Sequence, residues 1–321
     1  MKPNVVLYRK IPDDLFQKLS AETNLTFFDG INDTNREAFK TALKNADGVI
    51  GTGQKFNAET LELAPQLKAA STISVGYDDF DVSALTAKKI ALFNTPGVLT
   101  ETTADTIFML ILCVARRAME LAENVKRGDW KRSIGPEWYG SNVHGKTLAI
   151  TGMGRIGYAV AKRAHLGFGM NIIYYNRSAK TDVETHLSAK RVSFEEALST
   201  ADFVCNVLPA SPETNHIFNT DAFRKMQPHA FFINGGRGSS VNESDLAAAI
   251  QSQIIAGAGL DVFEREPLTV DSPLLKLSNV VALPHIGSAT HETRYEMAKL
   301  AVNNLLAGLK GDYSNNCVNL E

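Results

Sequence analysis

The sequence predicts an α/β protein built from two parallel sheets, each covered by helices. Short apolar segments of strand length alternate with amphipathic segments of helix length along the chain, which is the pattern of parallel β-α-β units. The chain has 321 residues, a length that suits two hydrophobic cores better than one. Both halves contain enough strand-like segments to form a sheet of their own.

The first hundred residues contain five strand-like segments, at 5–8, 25–28, 48–51, 71–75 and 91–93. Residues 13–19 and 35–43 lie between them and have helical apolar spacing. The sequence Asn94-Thr-Pro-Gly97 indicates a domain boundary, after which Thr100 can cap one long helix through about Arg127. Its apolar run, 106–115, is about half as long as a membrane span, so we expect a buried helix.

The second half contains six strand-like segments, at 148–151, 172–175, 203–208, 230–234, 255–260 and 280–283. The first leads into Gly152-Met-Gly154-Arg155-Ile156-Gly157, the G-x-G-x-x-G pattern of a dinucleotide site. In that pattern Gly152 allows a sharp turn, Gly154 lets backbone approach a pyrophosphate, and Gly157 lets the helix pack closely. The N-terminus of the helix then presents free N–H groups to the anion.

The end of the second of these strands favours NADPH over NADH. Asn176-Arg177-Ser178 stands where an NAD site usually has a carboxylate that binds the adenosine ribose. Asn176 removes the repulsion against a 2′-phosphate, Arg177 can bind it, and Ser178 can donate a further hydrogen bond. We therefore expect NADPH as the preferred cofactor and NADH as a weaker alternative. Arg177 as an ordinary solvated arginine is the other interpretation.

Ligands of such sheets bind beyond the carboxyl ends of the strands, so the residues there are site candidates. For the cofactor these are Leu208, Pro209, Thr214, Gly235, Gly236, Asp261 and Gly287. Asp261 could instead cap the turn at its strand end. The last three strands also lead to Arg237, Glu266 and His285. A histidine alone is more often a structural group, but the convergence of the three predicts a reactive site.

Composition narrows the partners. The formal net charge of −2 provides no field for nucleic acid or membrane, so a small molecule is the expected partner. Cys113, Cys205 and Cys317 lie far apart without C-x-x-C spacing, which suits reduced thiols in the cytoplasm. No metal-binding pattern is evident, and the N-terminal apolar run is too short for a signal peptide.

Four motifs together resemble the D-isomer-specific 2-hydroxyacid dehydrogenase family. They are the glycine turn at 152–157, Asn234-Gly-Gly-Arg237-Gly238, Gly259-Leu-Asp261-Val-Phe-Glu-Arg-Glu266-Pro267 and Leu283-Pro-His285-Ile-Gly287. The resemblance spans nearly the whole chain. Through residues 73–78, 134–140 and 285–294 it is strongest to the bacterial glyoxylate/hydroxypyruvate reductase and 2-ketogluconate reductase branch.

The resemblance implies two Rossmann-like, doubly wound parallel-sheet domains with the active site in the cleft between them. Residues 1–99 plus 290–321 would form a flavodoxin-like substrate-binding domain. Residues 100–289 would form the dinucleotide-binding domain, with the helix and arm of a homodimer interface. Ser74, Val75 and Gly76 would bind the substrate carboxylate through backbone N–H groups. Trp138 would either line the cleft or pack at the dimer seam.

Reduction of a 2-keto acid needs a hydride at the carbonyl carbon and a proton at the oxygen. Arg237 suits binding of the carboxylate and polarisation of the ketone. His285 suits proton donation, and Glu266 would favour its charged form. These three positions match the family pattern. The branch that the loops resemble implies glyoxylate, hydroxypyruvate and 2-keto-D-gluconate as substrates, without a ranking among them.

Two alternatives stay open. The first is a dimeric binding protein of the same fold that senses NAD(P)H. The second is another D-2-hydroxyacid dehydrogenase, such as a formate or phosphoglycerate dehydrogenase. The end of the chain at residue 321 argues against the longer phosphoglycerate forms, which carry an appended regulatory domain.

Overall fold

A computed structural model describes residues 1–320. Its strands are β1 Asn4–Leu7, β2 Asn24–Phe27, β3 Gly48–Gly51, β4 Ala69–Thr72, β5 Ala91–Phe93, β6 Thr147–Thr151, β7 Asn171–Tyr175, β8 Lys190–Arg191, β9 Phe203–Asn206, β10 Phe231–Asn234, β11 Gly257–Leu260 and β12 Val280–Ala282. Its helices are α1 Asp13–Glu22, α2 Arg36–Leu43, α3 Ala58–Glu62, α4 Val82–Ala87, α5 Thr100–Ala115, α6 Ala118–Lys126, α7 Arg155–Phe168, α8 Thr181–Leu187, α9 Phe194–Thr200, α10 Thr220–Lys225, α11 Glu243–Gln251 and α12 His291–Gly308.

The chain divides into two compact units. Unit 1 consists of Met1–Leu99 and Ser288–Glu321, and unit 2 consists of Thr100–Gly287. Each unit contains one sheet in which all neighbouring strands are parallel. Parallel neighbours need crossover connections, and helices provide them in both units. The predicted α/β class with two parallel sheets is therefore confirmed.

The sheet of unit 1 has the strand order β2-β1-β3-β4-β5, which is the flavodoxin-like order of a doubly wound sheet. All five strands fall at the predicted segments, although β4 ends at Thr72 rather than Val75. Helix α12, distant in sequence, covers this sheet, and the Ser71 hydroxyl donates to the carbonyl of Ala301 in its middle. This packing places the C-terminal helix in unit 1.

The sheet of unit 2 has seven strands in the order β12-β11-β10-β9-β6-β7-β8. Six correspond to the predicted segments, and β8 is additional. Its two residues are polar and exposed, so no apolar alternation in the sequence signals a strand there. The register places Thr151, Asn206, Asn234 and Leu260 side by side, each as the last residue of its strand. The loops beyond these four residues form one edge of the sheet.

The prediction of one continuous helix from Thr100 to about Arg127 is wrong. Helix α5 ends at Ala115 and α6 begins at Ala118, because Arg117 adopts a left-handed conformation with φ of 52°. Distant residues stabilise the break: the Ser141 N–H donates to the Ala115 carbonyl at 2.7 Å, and the Arg117 guanidinium donates to the Glu137 carbonyl. The sequence at the break contains neither glycine nor proline.

Helix α5 has nine buried residues, as its apolar run predicts, and seven of them belong to the hydrophobic core of unit 2. None of the helices formed by residues 1–320 has the length and apolar character needed to cross a membrane.

Candidate active site

The glycine turn between β6 and α7 has the geometry that its sequence requires. Gly152 has a φ of 98°, and a Cβ atom there would lie 2.7 Å from the carbonyl oxygen of Val207. A Cβ atom on Gly157 would lie 2.4 Å from the Gly152 oxygen, so the helix packs directly on the turn. The corresponding position of Gly154 has open space within 4 Å. Beside that space the first N–H groups of α7, at Arg155 and Ile156, can receive a phosphate.

The loop after β7 carries the residues predicted to bind the 2′-phosphate. Asn176 donates its amide to the Ser178 carbonyl at 3.0 Å, while Arg177 and Ser178 are exposed. Arg191 in β8 donates to the carbonyls of Asn176 and Arg177 at 3.1 and 2.7 Å. Arg191 carries no site signal in the sequence, because its contact with this loop depends on β8. A second guanidinium therefore braces the loop that carries Arg177.

The loop after β9 lies at the same carboxyl edge of the sheet as the loop after β7. The Leu208 N–H donates to the Asn206 side chain at 3.2 Å, and the Thr214 hydroxyl donates to the Pro209 carbonyl at 2.7 Å, which closes the loop. The Glu213 pKa is lowered first by a hydrogen bond from Ser211 and also by the charge of Arg177. Glu213 in this loop therefore lies within electrostatic range of Arg177.

Gly235 and Gly236 begin the loop after β10, and both are closely packed. A Cβ atom on Gly235 would meet the Ile107 side chain of α5 at 2.4 Å, and one on Gly236 would meet the Leu208 oxygen at 2.8 Å. A Cβ atom on Gly238 would lie 1.8 Å from the carbonyl of Phe263. The segment that carries Arg237 therefore packs against the segment that carries Glu266.

His285 and Glu266 form a hydrogen-bonded pair beyond β12 and β11. The distance between Nδ1 of His285 and Oε2 of Glu266 is 2.7 Å, and the other oxygen of Glu266 accepts the Phe263 N–H at 3.0 Å. This hydrogen bond, with the negative charges of Glu266 and Asp261, raises the His285 pKa. Burial alone would raise the Glu266 pKa, but the bonds from His285 and Phe263 hold it below its usual value.

Arg237 directly follows the glycine pair, and its guanidinium donates to the Gly236 carbonyl at 2.9 Å. Its positive charge lowers the pKa values of both Glu266 and His285. Electrostatic coupling of this kind needs short separations in a partly solvated site. Arg237 therefore lies within electrostatic range of the His285–Glu266 pair in unit 2.

Asp261 is buried at the end of β11 and supports the loop that carries His285. Its two oxygens accept the N–H groups of Ile286 and Gly287 at 2.7 and 2.8 Å. Burial raises the Asp261 pKa, and these two N–H groups oppose that effect. The contacts are those of a strand-end cap, whereas a contact to the nicotinamide stays a prediction.

Unit 1 contains the turn predicted to bind the substrate carboxylate. The carbonyls of Ser74, Val75 and Gly76 accept hydrogen bonds from the Thr95 N–H, the Asn94 amide and the Ser74 hydroxyl, respectively. Because C=O and the following N–H point in opposite directions in a trans peptide, the N–H groups of Val75, Gly76 and Tyr77 point away from these three donors. Binding of a substrate carboxylate by this turn stays a prediction.

Trp138 ends a short 3₁₀ helix, Pro136–Trp138, between α6 and β6. It is partly buried, and its neighbours Trp130, Ile134 and Tyr139 are exposed. Across residues 1–320, no group of three His, Cys, Asp or Glu side chains is arranged to hold a metal ion.

Comparison with known proteins identifies the family to which this chain belongs. The sequence profile of the D-isomer specific 2-hydroxyacid dehydrogenase NAD-binding domain matches residues 108–287. Glyoxylate/hydroxypyruvate reductase B from Cronobacter sakazakii is 54% identical over 319 residues, covering 99% of this chain and 98% of the relative. The chain belongs to the D-isomer-specific 2-hydroxyacid dehydrogenase family.

Solved structures agree with this assignment. A protein from Thermus thermophilus is 38% identical with a TM-score of 0.89, covering 98% of this chain and 99% of its own. An NADPH-dependent glyoxylate/hydroxypyruvate reductase from Sinorhizobium meliloti, solved with NADP and malonate, is 29% identical with a TM-score of 0.85, covering 99% and 97%.

Proposed function

We propose that this protein is an NADPH-preferring reductase that converts glyoxylate, hydroxypyruvate and 2-keto-D-gluconate to D-2-hydroxy acids. The His285–Glu266 pair beside Arg237 is the observation that carries the proposal. It combines a proton donor with a raised pKa and a cation for the substrate carboxylate. Relatives named as glyoxylate/hydroxypyruvate reductases support the substrate class.

In the proposed reaction NADPH supplies the hydride that reaches the carbonyl carbon. Arg237 binds the substrate carboxylate and polarises the ketone, so that negative charge develops on an oxygen beside a fixed cation. His285 donates the Nε2 proton to that oxygen and becomes neutral, while Glu266 holds Nδ1. We assign the N–H groups of the Ser74-Val75-Gly76 turn to the substrate carboxylate as well.

We assign NADPH to the carboxyl edge of the unit 2 sheet. Gly152, Gly154, Arg155, Ile156 and Gly157 would hold its pyrophosphate, where the open space at Gly154 fits an anion. Asn176, Arg177 and Ser178 would hold the 2′-phosphate, and Arg191 would fix their loop. Leu208, Pro209, Thr214, Gly235, Gly236, Asp261 and Gly287 complete the proposed cofactor site.

We further propose a homodimer that works in the cytoplasm. Met109 and Leu166 are exposed on α5 and α7, as are Met119 and Val125 on α6. Met109 and Leu166 line the same surface groove, and a contiguous exposed apolar patch is typical of a protein interface. The three cysteines are free thiols, which suits a reducing compartment. Trp138 keeps both of its predicted roles.

The test measures the oxidation of NADPH and of NADH by each of the three keto acids, with the absorbance of the reduced nicotinamide as the readout. We expect turnover with NADPH, and a large but incomplete reduction of it in Arg237→Ala and His285→Ala. His229→Ala is the matched control, because His229 also pairs with a carboxylate, Asp202, but at the amino end of β9 and β10. NADPH binding without any keto-acid turnover would support the sensing protein instead.

A further inference from the structure

We propose that Asn206 is a positioning residue that links the dinucleotide turn to Arg237. The inference rests on the proposed function, since it assumes that Arg237 acts on the substrate. Asn206 is the last residue of β9 and is fully buried. Its strand pairs with β6 on one side and β10 on the other, so Asn206 lies between Thr151 and Asn234.

The Asn206 side chain uses its whole hydrogen-bonding capacity. Its Nδ2 donates to Oδ1 of Asn234 at 2.9 Å and to Oγ of Ser240 at 2.7 Å. Its Oδ1 accepts from the Leu208 N–H at 3.2 Å and from the Thr151 hydroxyl at 3.1 Å. A primary amide has two N–H donors and an oxygen with two lone pairs, and all of them have partners here.

Backbone donors fix the orientation of both amides. The Leu208 N–H can only donate, so the oxygen of Asn206 must face it and the nitrogen must face Asn234 and Ser240. In the same way, the Gly236 N–H donates to Oδ1 of Asn234 at 3.1 Å. Asn234 therefore presents an oxygen to Asn206 and a nitrogen to the loop beyond β10.

Asn234 and Ser240, which accept hydrogen bonds from Asn206, both donate hydrogen bonds to the backbone of Arg237. Nδ2 of Asn234 donates to the Arg237 carbonyl at 3.1 Å, and the Ser240 hydroxyl donates to the same carbonyl at 2.6 Å. Asn206 thus fixes the direction in which the Ser240 hydroxyl donates and, together with the Gly236 N–H, the direction in which the Asn234 amide donates. Because buried hydrogen bonds polarise one another, loss of the first member weakens the two contacts on Arg237.

The opposite side of Asn206 reaches the cofactor turn. Thr151 immediately precedes Gly152, and its hydroxyl donates to Asn206. One side chain therefore sets the backbone of Arg237 relative to the turn that would hold the pyrophosphate. A leucine could occupy this buried strand position without desolvation of an amide, so we infer that the amide serves geometry rather than packing.

The experiment uses three substitutions that divide the network. Asn206→Leu removes all four hydrogen bonds, and Ser240→Ala removes only contacts on the Arg237 side. Thr151→Val removes the contact on the cofactor side together with a longer hydrogen bond to the Cys205 carbonyl. KM and kcat for glyoxylate and the dissociation constant of NADPH are measured for each, in the unmodified enzyme and in Arg237→Ala.

We expect Asn206→Leu to lower kcat/KM for glyoxylate by about tenfold or more, since small displacements of a substrate-orienting group are costly. Ser240→Ala should change the glyoxylate parameters in the same direction while NADPH binding stays within about twofold, and Thr151→Val should do the reverse. Ser240→Ala is the milder variant should Asn206→Leu fail to fold. In the Arg237→Ala background, Asn206→Leu should have less than about a twofold further effect.

Equal loss from Asn206→Leu in both backgrounds, or unchanged glyoxylate parameters in Ser240→Ala, would overturn the positioning role. The unmodified enzyme in the same assay tests the proposed function separately. If it turns glyoxylate over while the variants show no dependence on Arg237, only the inference about Asn206 fails.

Discussion

Replacement of Glu266 by glutamine should shift the pH dependence of reduction. The Glu266 carboxylate raises the His285 pKa through a hydrogen bond of 2.7 Å. Reduction needs the imidazolium as proton donor. The rate should therefore persist above the ordinary histidine pKa and fall as the pH rises through the raised value. In Glu266→Gln, His285 loses its proton earlier, so the alkaline limb of the kcat/KM profile should move to lower pH.

The size of the effect follows from exposure and hydrogen bonding. The two side chains are 54% and 37% exposed, so solvent screening limits the loss of the charge to about 1 kcal/mol. Both carboxylate oxygens accept N–H groups, from His285 and Phe263, whereas glutamine has one oxygen. One mismatched contact costs about 1 kcal/mol more. At pH values above the alkaline limb, the two contributions together should lower kcat/KM by about thirtyfold, since each 1.4 kcal/mol is a factor of ten.

The assay is NADPH oxidation with saturating cofactor and glyoxylate varied across the pH range. Glu264→Gln is the matched control, because Glu264 pairs with His216 at similar exposure and has no proposed role in proton transfer. Its limb should coincide with that of the unmodified enzyme. A limb that stays in place in Glu266→Gln, with the same loss at every pH, would show that Glu266 orients His285 without tuning its proton affinity.

Three further outcomes are expected. His285→Ala should lower kcat by about a hundredfold or more with NADPH affinity unchanged in a fluorescence titration, and near-normal turnover would exclude it as proton donor. Arg177→Ala should lower kcat/KM for NADPH by about tenfold and barely affect NADH, with a smaller effect in the same direction from Arg191→Ala; equal losses with both cofactors would contradict phosphate binding. Light scattering should show a dimer at micromolar concentration, and Trp138→Ala should alter either assembly or the glyoxylate KM, whereas a stable monomer would refute the proposed interface.

Much of the fold can be predicted from short stretches of sequence, because residues adjacent in the chain determine many of its strands and turns. The apolar segments that form β3 and β5 match the predicted bounds, since their residues are buried on both faces as parallel strands require. The turn at Gly152 was equally readable, because its left-handed backbone and its contact with Val207 demand glycine. In such places the physical requirement and the residue type coincide.

The features that the sequence did not predict depend on contacts between residues far apart in the chain. Arg117 breaks the long helix, and Ser141 and Glu137 stabilise the break. The edge strand β8 forms through pairing with β7, and Arg191 reaches the 176–178 loop only because of that pairing. Asn206 is one polar residue at the end of an apolar segment, and three of its four partners, Thr151, Asn234 and Ser240, lie 28 or more residues away in the chain. No local pattern encodes such contacts.

The buried polar residues at the sheet edge explain how loops can hold a precise site. Arg237, Glu266 and His285 all lie beyond strand ends, where backbone is intrinsically more mobile. Hydrogen bonds hold each of the three segments in place. The Asp261 carboxylate accepts the two N–H groups that follow His285, and the Phe263 N–H donates to Glu266. The Asn234 amide and the Ser240 hydroxyl donate to the Arg237 carbonyl. Side chains that never touch the substrate would therefore set the distances between those that do. On this reasoning, substitutions at the buried edge should change substrate kinetics more than global stability, since the cores beneath it remain intact.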